Sequence, residues 1–364
     1  MQFAEDYRGF FNVARRNVAG KARSYLSGLL MKSPRKNMER MEEYVQEFNY
    51  QAQQQFLSDS PWDYRVLMEQ VAKEVDSLLG GKDSVLVIDE SAFAKQGKKS
   101  VGVARQWNGR LGKVDNSQVG VFAVLTNGAH GALVDNRLYL PKEWIDDPER
   151  CAASGIPSDA CVLKKKSELA IEMVDAACKN GLRFDCVASD AGYGKEPKYL
   201  RDLADRGLTF ISDVHRDQCI YLNDPKPRLP ERKSEKGRAP KRRTQEKAVT
   251  VEAHFGEHPE TEWNYFDLRE TTRGKIKVKA IATRAWFWDK NEEQAHEWWA
   301  VCVKYIDTGD TKWFASNAPS TIGLRALLLL HGKRFWVERT FEDAKGSVGM
   351  ADYQARGWLA WHHH

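Results

Sequence analysis

The sequence predicts an α/β fold: a helical module over residues 1–80, then a mixed sheet with helices packed on it. Three observations predict it. Up to about residue 80 the apolar residues recur at helical spacing. From Gly81 onward short apolar strands alternate with amphipathic helices. Between roughly 215 and 310 the alternation loosens into a Trp-rich stretch with strand-like pieces, an insertion in an otherwise regular order.

Phe10, Phe11, Val13 and Ala14 open the helical module, interleaved with Arg15, Arg16, Lys21 and Arg23, and Ser33-Pro34 breaks the pattern. Met38, Met41, Tyr44, Val45 and Phe48 predict a second helix. The stretch SDSPWD starts a third, with Ser60 as N-cap, Pro61 at the first helical position and Asp63 three residues after the cap; Gly80-Gly81 stops it. The basic side chains suit a DNA-binding domain, and a helical packing or dimerisation module accounts for them equally.

Residues 85–89 read as a buried strand ending on Asp89. Strands over 118–126 and 129–140 flank Asn127-Gly128, a strong hairpin signal. An amphipathic helix over 167–180 is closed by Gly181, and a strand over 184–189 ends on Asp190. A helix over 197–206 leads to a strand over 208–214. Strand-like pieces follow at 248–254, 276–283 and 299–305, and Ser316-Asn317-Ala318-Pro319 then sets up one long helix through Leu327 and Phe341. The expected blocks are 1–80, 81–214, 215–310 with a basic loop at 225–247, 311–350, and a tail at 351–364.

Charge and cysteine usage narrow the class. The formal net charge is +5, compatible with a nucleic-acid partner. Lys and Arg crowd the loop 225–247, which reads either as a solvated linker or as a phosphate-contacting arm. The six cysteines form no CxxC pair and no zinc spacing with histidine, as in a reduced, cytoplasmic protein. No apolar run has the length of a membrane span, and the N-terminus lacks the basic-then-apolar order of a secretory signal.

The chemistry-bearing residues are acids at strand ends. Asp89 and Asp190 each end a buried strand, so neighbouring strands would bring two carboxylates to one sheet edge, an arrangement that suits a hard cation such as Mg²⁺. An aspartate that merely caps the next turn is the competing reading. Further on, His331, Arg334, Glu338 and Lys345 fall at spacings that share one helical face, an acid among cations that could hold a metal and a phosphate together. A plain ion pair four residues apart explains Arg334 and Glu338 equally well.

These residues, read as His331-x2-Arg334-x3-Glu338-x6-Lys345, resemble the DDE transposases of bacterial insertion sequences, in the group whose third acid lies in a Y-x2-R-x3-E-x6-K signature. The stretches "FLSDSPWD", "VIDESAFAKQGKKSVGVARQWNGRLGKVDNSQVGV", "LYLPKEWIDDPERCAASGIP", "ASDAGYG", "SNAPSTIGLRALL" and "ERTFEDAKGSVGMADYQARGW" are similar to one subgroup, from near residue 30 to the end. The resemblance implies an RNase H-like catalytic core interrupted by a β-rich insertion. It makes Asp89, Asp190 and Glu338 the catalytic, metal-binding triad, and Arg334 and Lys345 phosphate-binding cations. His331 departs from the signature's Tyr, though an imidazole can donate to a phosphate as a phenol does. The chain closes on WLAWHHH where this group continues into a further helical segment, and the closing histidines are either native or the remnant of a tag.

Function follows as expectation: a cut-and-paste DNA transposase, with two Mg²⁺ ions (or Mn²⁺) about 4 Å apart, bridged by Asp89. Lys95, Lys98, Lys99 and Lys113 are candidate DNA contacts, and Trp286, Trp288, Trp298 and Trp299 are candidates for stacking on a flipped base. The expected partners are double-stranded DNA, namely terminal inverted repeats and target, on which the protein acts as a homodimer, in a cytoplasmic, nucleoid-associated setting without a membrane. Two alternatives stay open: a catalytically idle DNA-binding regulator, and an RNase H-like nuclease that cuts without joining.

Overall fold

The computed structural model describes residues 5–231, 241–271, 274–290 and 292–364. The chain opens with a 3-10 turn (Arg8–Phe11) and a small hairpin of Asn12–Val13 with Arg16–Asn17, where a helical start was expected. The helices α1 (Ala19–Leu30), α2 (Met38–Tyr44), α3 (Tyr50–Ser58) and α4 (Tyr64–Leu79) follow. Strands β1 (Val85–Ala94), β2 (Ala104–Asn108), β3 (Lys113–Thr126) and β4 (Gly131–Leu138) follow. Next are α5 (Lys142–Ile145), α6 (Pro148–Ala153), α7 (Lys166–Lys179), β5 (Cys186–Ser189), α8 (Ala191–Gly194), α9 (Pro197–Asp205) and β6 (Phe210–Val214). The chain then runs through α10 (Val251–Gly256), β7 (Asn264–Thr271), β8 (Gly274–Phe287), β9 (His296–Tyr305), β10 (Thr311–Ser316), α11 (Leu324–Gly332), α12 (Phe335–Ser347) and α13 (Trp358–His363). It divides into two compact units: Met1–Gly80, Asp89–Arg183 and Trp336–His364 in the first, Gly81–Ile88 and Phe184–Phe335 in the second.

In the first unit, α1 to α4 surround a core of Phe11, Tyr25, Met41, Phe56, Leu57 and Trp62. Gly28 is required there: a Cβ on it would lie 2.6 Å from Met41 Cγ, so glycine lets α1 and α2 close on each other. The second predicted helix is in fact two, α2 and α3, separated at Glu47 (φ 61°), and each begins at an asparagine N-cap, Asn37 and Asn49. The third starts later than SDSPWD suggested. Asp63, not Ser60, is the cap: its carboxylate accepts from Arg65 N at 2.8 Å and Val66 N at 3.3 Å. Trp62 instead turns into the core, which holds 60–62 out of the helix.

The chain's last residues pack in this same core. His363 stacks on Trp62 with ring centroids 3.7 Å apart, and its Nδ1 and Nε2 lie 2.9 and 3.1 Å from the carbonyls of Leu57 and Trp62. His362 stacks on Tyr64 and bonds to Trp358 O, and His364 Nδ1 lies 2.6 Å from Tyr25 Oη. Lys36, buried, donates through Nζ to the carbonyls of Leu29 and Ser347, placing its charge at the C-terminal ends of both α1 and α12.

Also in this unit, β3 pairs antiparallel with β2 through its first half and with β4 through its second. The β3–β4 turn is the predicted Asn127-Gly128 hairpin, with Gly128 at φ 89° and Asn127 N bonded to His130 O at 3.3 Å. Val101, Val103, Leu138, Leu140 and Trp144 form a second apolar cluster beneath it.

The second unit is a mixed sheet in the order β7-β8-β9-β10-β6-β5, with the start of β1 at its edge. Pairs from β7 to β6 are antiparallel; β6 with β5 and β5 with β1 are parallel. Val85, Leu86, Val87 and Ile88 are wholly buried, and their unbroken apolar run is that of a parallel strand covered on both faces. The Trp-rich insertion thus extends this sheet as antiparallel strands. Part of its predicted pattern fails: residues 251–256 are the helix α10, not strand, because Thr250 caps it through Ala253 N and Val251 and Phe255 share a buried face. In the basic loop, Arg228 pairs with Arg243 in an isolated bridge and Arg242 meets Glu293 at 2.8 Å. Residues 232–240 of that loop lie outside the described residues.

Candidate active site

The register of the parallel pair fixes where two acids fall. Ile88 on β1 is opposite Ser189 on β5, and the residue after each is an aspartate, Asp89 and Asp190. Asp190 also caps α8: its Oδ1 accepts from Gly192 N at 2.8 Å and Tyr193 N at 3.3 Å. The glycines of ASDAGYG follow from this packing. A Cβ on Gly192 would lie 2.9 Å from Asp190 Oδ1, and one on Gly194 only 2.0 Å from Asp213 O. Asp190 therefore has the capping role that competed with the metal role, and capping through one oxygen is compatible with the other oxygen ligating.

Asp89 is half-buried, with Oδ1 accepting from Glu90 N at 2.7 Å. Its neighbour Glu90 is engaged in an ion pair, with Oε2 2.7 Å from Lys166 Nζ. Glu338 is exposed in the first turn of α12. Asp89 and Glu338 belong to the first unit and Asp190 to the second. Among the described residues no group of three or more His, Cys, Asp or Glu side chains is close enough to hold a metal ion.

The single long helix expected around Glu338 is broken. Lys333 and Arg334 form a turn between α11 and α12, with i to i+3 bonds from Lys333 N to Leu330 O and Arg334 N to His331 O, each 3.1 Å. His331, Arg334, Glu338 and Lys345 therefore do not share one continuous helical face. Gly332, the last residue of α11, favours the stop.

In the second unit His331 and Arg334 converge on a buried acid that the sequence reading did not single out. His331 Nε2 lies 2.6 Å from Asp213 Oδ1, and Arg334 Nη2 lies 3.2 Å from Oδ2. Phe314 stacks on the imidazole with centroids 4.3 Å apart. Burial pushes the Asp213 carboxyl up, but the His331 and Arg334 charges and the His331 hydrogen bond outweigh it, so the group titrates below the ordinary carboxylate range. Asp213 was detectable as an acid inside the apolar run FISDV. Asn317 fixes this strand's start, accepting from Phe210 N at 2.7 Å and donating to Leu208 O at 2.9 Å.

The candidate DNA contacts divide. Lys95 Nζ donates to Tyr353 O at 2.8 Å over the Tyr353 ring, and burial lowers its pKa to about 8. Lys345 sits over Phe93 near Ala92 O, also lowered to about 8, by burial and then by Arg110. Lys113 pairs with Asp115 at 3.0 Å. Lys98 and Lys99 are exposed.

The tryptophans divide too. Trp298 is a core residue, buried against Phe210, Phe287, His296 and the Arg201 guanidinium, and this packing leaves no ring face for a base. Trp286 is held by its backbone to Tyr221, Trp288 donates to Glu292 O, and Trp299 donates to Pro319 O. These three are half-buried.

The chain's sequence matches a known family. Over residues 7–275, a stretch holding Asp89 and Asp190 but ending before Glu338, the chain matches the model of the DDE superfamily endonucleases. It is 24% identical over 361 residues, 97% of this chain and 80% of the relative, to the probable transposase for insertion sequence element IS701 of Microchaete diplosiphon. Against the crystal structure of the NurA nuclease from Sulfolobus solfataricus it gives a TM-score of 0.29 at 10% identity, covering 81% of this chain and 84% of that one, too weak a superposition to carry an argument. No helix among the described residues is long and apolar enough to cross a membrane. With a family model matched over most of its length, the chain belongs to the DDE superfamily of endonucleases.

Proposed function

We propose that the chain is the transposase of an insertion sequence, cutting DNA at the element's ends and joining it to a target by divalent-metal-dependent phosphoryl transfer. The observation that carries the reading is the register of Ile88 with Ser189, since peptide connectivity takes both chains on to an aspartate at the same step of a parallel pair. The family match and the transposase relative support the same reaction.

Asp89, Asp190 and Glu338 are the proposed metal-holding carboxylates. Their hard oxygen donors fit Mg²⁺ or Mn²⁺, with phosphate and water completing the shell. When bound, such ions supply Lewis-acid activation of the attacking oxygen and stabilisation of the leaving one. Asp213 acts as the positioning residue, holding the His331 ring and the Arg334 fork by their inner edges. The Arg334 guanidinium, held by Asp213, is the proposed phosphate-binding cation, its planar fork matching phosphate geometry. Terminal inverted repeats and target DNA are the proposed substrates. A homodimer follows from the need to process two ends.

A supercoiled plasmid carrying the element's own terminal repeats, incubated with Mg²⁺, tests this. Excision with strand joining is the expected outcome. Nicking alone would make the chain a nuclease, and binding without cleavage would make it a regulator.

A further inference from the structure

We propose that the first unit carries a DNA-backbone site lined by none of the three candidate metal carboxylates. It is a cleft of about 1230 Å³ between the start of α2, the outer face of α3, the loop after β1 and the segment before α13. The proposal rests on the reading that the chain acts on DNA.

Charge is the first argument. Arg35, Lys36, Lys95, Lys98, Lys99 and Arg356 line the cleft against one carboxylate, Asp352, which accepts from Lys36 N at 2.8 Å. The net lining charge of +5 equals the formal charge of the whole chain, so the rest of the protein is neutral on balance. Convergence of like charges raises the energy of the free protein and is compensated when a polyanion enters.

The second argument is pairing. Arg35, Lys98, Lys99 and Arg356 are exposed, and among the described residues none makes an ion pair. Some exposed cations elsewhere pair, as in Arg40 with Glu43 at 2.7 Å, Lys198 with Asp202 at 2.6 Å and Arg339 with Glu342 at 3.0 Å. Others, such as Arg15, Arg16 and Lys32, do not among the described residues, so it is the convergence of four such cations on one cleft that sets it apart. Lys36 and Lys95 are committed to backbone carbonyls at the floor, where they add fixed positive charge without reaching outward. The four exposed cations are the ones available for contact.

Size and chemistry identify the ligand. Small-molecule pockets run to about 1,000 Å³ and are mostly apolar. This cleft is larger, and Asn37, Gln54, Gln96 and Gln354 add neutral amides among the cations. A polymer of phosphates fits it, which for this family is the sugar-phosphate backbone of DNA. The geometry brings together three segments far apart in sequence, so neither Arg35 nor Arg356 could be joined to Lys98 and Lys99 by inspecting the sequence.

The test is a salt series of fluorescence anisotropy with the full chain in EDTA, using a labelled duplex and a single strand of the same length. In the variant Arg35→Ala/Lys98→Ala/Lys99→Ala/Arg356→Ala, the slope of log K against log salt should fall by roughly 3 to 4 on duplex, at about 0.9 per lost phosphate contact, and by somewhat less on single strand. Loss on only one of the two identifies which form the cleft holds. Arg40→Ala/Lys198→Ala/Arg339→Ala, which removes paired cations, should keep the wild-type slope. Wild-type slopes in the cleft variant on both DNA forms overturn the proposal, as does an equal fall in the control. Single Arg35→Ala and Arg356→Ala variants, each expected to lower the slope by about 0.9, guard against a fold defect in the quadruple variant. Plasmid cleavage by the wild-type chain is scored separately, so failure of the cleft and failure of the transposase reading remain distinguishable.

Discussion

His331 Nε2 is 2.6 Å from Asp213 Oδ1, and both side chains are buried in the second unit. The histidine stands where the resembling signature has tyrosine, and a carboxylate partner accompanies the exchange. Asp213→Ala removes the acceptor for both His331 and Arg334 and is expected to cost on the order of 3 kcal/mol, the range for breaking a buried pair. Urea denaturation at pH 7 checks this. Asp213 has a folded-state pKa below its unfolded value, so its contribution is present above the unfolded carboxylate pKa and lost as pH falls through the folded one. The difference between wild type and Asp213→Ala should therefore shrink only in strong acid. A variant as stable as wild type at pH 7 would show that the pair contributes nothing.

The closing histidines give a second pH dependence, of the same sign and at higher pH. Burial lowers the His362 pKa from 6.5 to about 3 and also lowers that of His363. Because the folded-state pKa lies below the unfolded one, the stabilising contribution is complete above pH 6.5 and declines as pH falls toward the folded value. Each group contributes a slope of up to about 1.4 kcal/mol per pH unit in that window. The urea midpoint should fall between pH 7.5 and 5, and His362→Phe should flatten the fall. An unchanged slope in that variant would place the titration elsewhere.

Glycine positions test the packing around the acids. Gly194→Ala drives a Cβ to 2.0 Å from Asp213 O, a backbone atom that cannot swing away, and should cost about 1–3 kcal/mol or more. Gly20→Ala meets nothing within 4 Å at an ordinary helical φ and should be neutral or stabilising by up to about 1 kcal/mol. Paired thermal melts of the two variants check the contrast, and equal melting temperatures would contradict it.

Local signals carried much of the fold. Asn127-Gly128, Gly80-Gly81 and the apolar runs leading to Asp89 and Asp190 were legible because each is a short-range signal: a turn dipeptide, a helix stop, an apolar run. The strand through Asp89 does not end there as expected but continues to Ala94. Asp63 displaced Ser60 as N-cap because Trp62 is drawn into a core formed by distant residues. Residues 251–256 became helix because Thr250 capped them, against a β-branched pattern. The break at Lys333-Arg334 follows Gly332, a single glycine inside an otherwise helical pattern. The Asp213–His331 pair joins residues more than a hundred positions apart in sequence, and no periodicity encodes that. The Arg35 and Arg356 walls of the basic cleft were illegible for the same reason.

Plasmid cleavage by carboxylate variants tests the central claim most directly. Asp89→Asn, Asp190→Asn and Glu338→Gln are compared with wild type on a supercoiled plasmid carrying the element's ends in Mg²⁺, with end-binding measured in parallel in EDTA. Each substitution should remove cleavage while leaving end-binding close to wild type. Cleavage that survives in any of the three would remove that carboxylate from the catalytic set and contradict the proposed triad.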